Sequence, residues 1–132
     1  MPYVLRDLTT LEDKPVLGDG NCVMIVKMAV PGLIDRPTSQ WREGRKVVGS
    51  RAIARGTAIA TFENGRYPNR AGGNHAAIFV AYAGASIWVL DQWKSDKKTH
   101  ITKRLIRIGR RRADGSFLEP SNASDAFSVI EL

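Results

Sequence analysis

From His75 to Tyr82 the chain reads His-Ala-Ala-Ile-Phe-Val-Ala-Tyr, almost without a polar side chain. A strand with one wet face alternates apolar and polar residues. An unbroken apolar run between Gly72-Gly73 and Ala83-Gly84-Ala85 is instead the pattern of a central strand covered on both faces. Such a strand needs a neighbour on each edge and a layer over each face, and the remaining sequence has to supply them.

Most of what it supplies is strand. Thr57 to Phe62 is rich in β-formers and ends at Asn64-Gly65, a strong hairpin pair. A Gly/Asn/Pro-rich loop runs from Arg66 to Asn74. Ser86 to Leu90 is the return strand after the Ala83-Gly84-Ala85 turn. Ile101 to Ile108 mixes basic and apolar residues, as an edge strand does. Ala126 to Ile130 is the last strand. Helical spacing is clear over residues 21 to 30, with Cys22, Val26 and Ala29 on one face and Pro31-Gly32 as the stop. Thr38-Ser39 predicts the cap of a short second helix through Trp41 and Glu43. Residues 51 to 55 stay open between helix and loop, and residues 1 to 20 form an extended and looped lead-in. A helix followed by a mostly antiparallel sheet is the α+β class. With 132 residues and no repeat or linker, residues 1–132 are expected to make a single domain.

Charge narrows the partners. There are 20 Lys and Arg against 13 Asp and Glu, a net charge of +7, which favours anionic partners such as nucleic acid, acidic membranes or a bacterial wall polymer. Lys103-Arg104, Arg107 and Arg110-Arg111-Arg112 carry much of it, and the plainest reading is a solvated edge and turn. A nucleic-acid surface adds exposed aromatics for stacking. The aromatics here are few and embedded in apolar strands, so nucleic acid is not the expected partner. No stretch approaches the ~20 apolar residues of a membrane span, so no membrane insertion is expected. The first residues, Met1-Pro2-Tyr3-Val4-Leu5, do not read as a secretory signal. With two histidines, His75 and His100, and no run at ligand spacing, no metal is expected. No phosphate or dinucleotide fingerprint appears, so no cofactor is expected either.

The sole cysteine, Cys22, follows Gly18-Asp19-Gly20-Asn21 and opens the apolar helix. A helix N-terminus favours a thiolate, and a thiolate attacks carbonyls. The alternative is an inert buried cysteine. His75, after Gly72-Gly73-Asn74, is a candidate base, or else a core histidine at a strand start. Asp91 closes an apolar strand, where a carboxylate needs a partner. With a three-residue turn at Ala83-Gly84-Ala85, Ala77 faces Asp91 and His75 faces Trp93, so Asp91 lies diagonal to His75 on one face. A two-residue turn brings Gln92 opposite His75 instead. The three roles of nucleophile, base and orienting carboxylate then fall to Cys22, His75 and Asp91. The Cys22 N–H, with a donor from Asn21 or a nearby side chain, is the expected oxyanion site. Gly73, Asn74 and Gln92 join Asn21 as expected substrate contacts.

Gly-Asn-Cys22 opening a helix, Gly-Thr-Ala-Ile-Ala-Thr-Phe-Glu-Asn-Gly (56 to 65), Gly-Asn-His75-Ala-Ala-Ile-Phe and Val-Leu-Asp91-Gln-Trp together resemble one family. It is the second family of type VI secretion amidase effectors, within the NlpC-type, papain-like cysteine peptidases. The resemblance runs from about Gly18 to the C-terminus. It implies a toxin made in the bacterial cytoplasm and injected into a neighbour's periplasm, where it cuts peptidoglycan peptides. It also implies a cognate immunity protein, and the D-alanine–meso-diaminopimelate crosslink as the bond cut, with the D-glutamyl–diaminopimelate bond as the alternative. Cys22 and His75 match the family's catalytic pair, while the orienting residue varies among NlpC-type enzymes. A monomer is expected. Two other functions fit the residues: a non-catalytic module binding an acidic polymer, and a deamidase or transpeptidase on the same scaffold.

Overall fold

A computed structural model describes residues 2–132. The helix α1 spans Cys22–Ala29. Six strands follow: β1 Arg42–Lys46, β2 Ala58–Thr61, β3 Ala76–Ala83, β4 Ser86–Asp91, β5 Thr102–Ile106 and β6 Phe127–Glu131. They form one sheet in the order β1-β6-β2-β3-β4-β5, and each neighbouring pair is antiparallel. This is the α+β architecture expected, with the cysteine-bearing helix packed on an antiparallel sheet as in NlpC-type, papain-like folds.

The apolar run of β3 behaves as its composition demands. Ala76, Ile78 and Val80 join a core with Ile25 and Val26 of α1, Trp41 and Leu90. Ala77 and Phe79 join a second core with Ile59, Ile87, Val89, Ile106 and Phe127. Both faces are therefore dry, and α1 packs directly on β3. Burying Ile25 and Val26 contributes roughly 1.5–3 kcal/mol each. The buried stripe of α1 is Cys22, Ile25 and Val26, and Ala29 is only partly covered. Asn21 caps the helix by accepting from the Val23 N–H at 3.2 Å. Val30 leaves helical geometry at ψ 122, as a residue before proline must.

Two expectations need correction, and one left open is settled. The second helix through Trp41 and Glu43 is absent. Thr38–Gln40 makes a single 3₁₀ turn, and Trp41 is extended at ψ 140. Arg42 and Glu43 then pair with Glu131 and Ile130. Pairing with a distant strand overrides the local helix signal there. Residues 51 to 55 resolve as loop, with Arg51 in the left-handed region at φ 57. The β3–β4 turn has two residues, not three, because Ala83 pairs with Ser86. A bulge between Phe79 and Ala81 absorbs the difference, so Ile78 still faces Leu90. The register at the inner end is thus the one that sets Asp91 diagonal to His75, although the turn that suggested it was wrong.

Gly56 is required by the packing. It has φ 95, and a Cβ there would stand 1.9 Å from the Leu5 carbonyl oxygen. That contact lets the lead-in segment hydrogen-bond beside β2, through Leu5 N to Gly56 O and Ala58 N to Tyr3 O.

Candidate active site

α1 begins where β3 begins and β4 ends, and this junction gathers the three candidate residues. Cys22 opens the helix. His75 precedes the first residue of β3, and Asp91 is the last of β4. The three are buried, with Cys22 retaining 9% of its surface, His75 5% and Asp91 none. Cys22 and His75 line a cleft of about 470 Å³ with Asn21, Gly73, Asn74 and Arg104. The sulfur is therefore reachable rather than sealed in the core.

His75 Nε2 lies 2.9 Å from Asp91 Oδ2. This leaves Nδ1 as the nitrogen that serves the sulfur. Asp91 is not alone with the histidine. Arg104 on β5 donates to the same Oδ2 from Nε at 2.9 Å, and its Nη2 completes an ion pair with that oxygen at 2.8 Å. Asp91 Oδ1 is buried without a hydrogen-bond partner among the described residues. Arg104 is held in turn by Asn122 Oδ1 at 2.9 Å. Thr61 fixes the backbone of His75 by accepting from its N–H at 3.0 Å.

The electrostatics follow from these contacts. Burial is the largest influence on the Cys22 thiol and raises its pKa. A hydrogen bond from His75, the imidazolium charge, the Ala76 N–H and Tyr67 together outweigh it, so the thiol is held below its ordinary value. Burial likewise opposes charge on His75, but its bonds to Asp91 and Cys22 raise it to about 9. Burial works to raise Asp91 too, and is outweighed by His75 and Arg104, which keep it ionised. Sulfur, imidazole, carboxylate and guanidinium thus stand in a row in which each group favours the charged form of its neighbour.

Of the other expected contacts, Gly73 lines the cleft with φ 76, a left-handed conformation that suits glycine. Asn21 also lines the cleft, but its backbone N–H donates to Asp19 Oδ1 at 3.0 Å and its side-chain oxygen is spent on the cap. Only its Nδ2 remains as the donor foreseen from Asn21. The Cys22 N–H, in the first turn, has no acceptor inside the helix. Asn74 is engaged at both ends of its amide, accepting from Arg70 N at 3.0 Å and donating to Tyr67 OH at 3.0 Å. Gln92 is a correction. It is fully buried and does not face His75. Its Oε1 accepts from Leu17 N at 2.8 Å, and its Nε2 donates to Leu17 O and Asn21 O at 2.9 Å each. Gln92 pins the loop that presents Cys22 and is neither an orienting residue nor a substrate contact.

Two site residues escape sequence reasoning. Arg104 reads as part of a solvated basic edge, yet it pairs across from Val89, which places it diagonal to Asp91 on the same face. Aligning a third strand would have exposed it. Tyr67 lies in the Gly/Asn-rich loop, and its hydroxyl sits 3.7 Å from Cys22 Sγ. No local pattern marks it. Two more residues of the basic run are engaged. Arg111 pairs with Asp125 at 3.2 Å, and Arg112 donates to Phe117 O at 2.8 Å. Among the described residues, no group of three or more His, Cys, Asp or Glu could hold a metal ion, and no helix is long and apolar enough to cross a membrane.

Known proteins share this sequence and fold. The domesticated amidase effector 2 family matches residues 6–130. A type VI secretion amidase effector 2 protein of Salmonella typhi is 40% identical over 136 residues, covering 99% of this chain and all of that one. A solved structure of a type 6 secretion amidase effector 2 superposes with a TM-score of 0.86 at 39% identity, covering 98% of this chain and 94% of the other.

Proposed function

Because the chain belongs to the domesticated amidase effector 2 family, we propose that it is a cysteine amidase of bacterial peptidoglycan, with Cys22 as nucleophile, His75 as acid–base and Asp91 as orienting group. One observation carries this reading. The only sulfur that could act as a nucleophile opens a helix into the same cleft as an imidazole whose far nitrogen is bonded to a buried carboxylate at 2.9 Å.

The chemistry runs in two halves. The Cys22 thiolate adds to the scissile carbonyl carbon. The developing oxyanion takes the Cys22 N–H, with Asn21 Nδ2 as the side-chain donor nearest to it in the chain. The imidazolium of His75 protonates the leaving amine as the C–N bond breaks, leaving a thioester. Water then adds to the thioester, giving its proton to His75, and the thiolate is released with the acid product. Throughout, Asp91 holds Nε2–H, so that Nδ1 faces the sulfur, and it stabilises the imidazolium.

The D-alanine–meso-diaminopimelate crosslink is our assignment for the bond, with the D-glutamyl–diaminopimelate bond as the alternative. Arg70, Lys94 and Arg104 line the cleft, each paired with a carboxylate beside it, Glu63, Asp19 and Asp91 in turn. Residues 1–132 act as one catalytic domain and as a monomer. Type VI secretion delivers it to the periplasm of a target cell, and an immunity protein covers the cleft in kin. Cys22→Ala is expected to fold and to release no fragments from purified sacculi. Full cleavage by that variant would end this reading. Mass spectrometry of the muropeptides left by the wild type decides between the two bonds.

A further inference from the structure

A hydroxyl that no triad requires points at the nucleophile. Tyr67 is 6% exposed, its ring packs on the buried Trp41 ring at 5.1 Å, and its oxygen lies 3.7 Å from Cys22 Sγ. Which of the two atoms donates is settled by the groups behind them. The Arg70 backbone N–H can only donate, so the Asn74 atom 3.0 Å from it is Oδ1. The other end of that amide is then Nδ2, which can only donate, and it faces the Tyr67 oxygen at 3.0 Å. The phenol oxygen is therefore the acceptor from Asn74. Its own proton is left for the one remaining partner, the sulfur.

We propose that Tyr67 is a further catalytic residue of this site, its O–H donating to the Cys22 thiolate in the resting enzyme, with Asn74 as the positioning residue that aims it. The chain of donors runs in one direction, from Arg70 N–H through Asn74 and Tyr67 to the sulfur. Hydrogen bonds linked head to tail polarise one another. Burial, with the charge of Cys22 next, pushes the phenol far above its ordinary value, so Tyr67 keeps its proton at any working pH. The other groups that bear on the sulfur are the His75 imidazole and the Ala76 N–H. Asp91 and Arg104 stand behind His75, and Arg70 and Lys94 line the same cleft. Tyr67 is the one neutral side-chain donor in that set, so it stabilises negative sulfur without competing for the proton that His75 must deliver. The Asn74 amide, which reads from sequence as a substrate contact, has its function one step behind the nucleophile.

The proposal rests on Cys22 as nucleophile, and its test does not need turnover. Iodoacetamide alkylation of Cys22 against pH, on the full chain, reports the thiol directly. Tyr67→Phe keeps the ring on Trp41 and removes the O–H. The midpoint is expected to rise by about one pH unit, giving about tenfold slower alkylation on the acidic side. Asn74→Leu is expected to move it in the same direction by less. The acidic limb of kcat/KM on sacculi should shift with the alkylation midpoint. Unshifted alkylation in Tyr67→Phe overturns the proposal. So does a fall in activity that is equal at all pH with the thiol unmoved, which would put the hydroxyl on the tetrahedral oxygen instead. Failure of the amidase reading looks different: Cys22→Ala would still cleave sacculi, whatever the alkylation curves show.

Discussion

Replacing Cys22 with serine is expected to change how stability depends on pH, in a way that isolates the thiolate–imidazolium pair. His75 is raised from 6.5 to about 9 in the folded protein. A raised histidine stabilises the fold below the unfolded pKa and loses that contribution as pH climbs through the folded value. Cys22 is lowered from 9.0, so its contribution runs the other way and grows as pH climbs toward the unfolded value. If the pair is a thiolate and an imidazolium, then between the two unfolded values the folded pair carries one proton, on the imidazole. The unfolded chain also carries one, on the thiol. Equal proton counts give no slope, so the pair leaves wild-type stability flat across that window. Serine does not ionise there, and the cancellation is lost. His75 in Cys22→Ser still holds its proton against Asp91 at 2.9 Å, while the unfolded imidazole has shed its own. Stability of the variant then falls with pH at up to about 1.4 kcal/mol per unit. The bond and charge that Cys22 supplied to His75 are also gone, which narrows the window, and the total loss is roughly 1–2 kcal/mol. Urea midpoints for both proteins, measured in half-unit steps from neutral to alkaline pH, read this directly. Their difference removes every other titrating group. A difference that stays constant across the range would refute the ion pair.

Other outcomes follow from the same contacts. Asp91→Asn removes the carboxylate shared by His75 and Arg104, so burial governs the imidazole and the alkaline limb of kcat/KM should move toward neutral pH. Activity on sacculi should fall by roughly 10²–10⁴-fold, and an unmoved alkaline limb would show that Asp91 does not hold His75. Gln92→Ala removes three hydrogen bonds to the loop before Cys22. Urea unfolding should register a loss of about 2–3 kcal/mol, and stability within a few tenths of wild type would count against the clamp.

Much of this protein is legible along the chain, because the signals are local. The unbroken apolar stretch of β3, the Asn-Gly turn and the helical spacing after Asn21 each reflect what a few consecutive residues must bury or cap. They are enough for the fold class and for every strand except β1, which reads as helix. The diagonal of His75 and Asp91 rests on more. It depends on a turn shorter by one residue and a bulge between Phe79 and Ala81, and neither leaves a mark in residue type. Trp41 to Lys46 joins the sheet only because β6, some eighty residues later, is there to pair with it.

The sequence by itself determined which side chains are chemically able to act, since one cysteine and two histidines leave few choices. Tertiary structure decided what surrounds them. Arg104 meets Asp91 across β4 and β5, Tyr67 meets Cys22 from a distant loop, and Gln92 turns away from the histidine to brace the loop at Leu17. Each of these pairs partners far apart in the chain. Their hydrogen bonds and charges depend on distances that register and packing set, and those distances tune the sulfur and the imidazole.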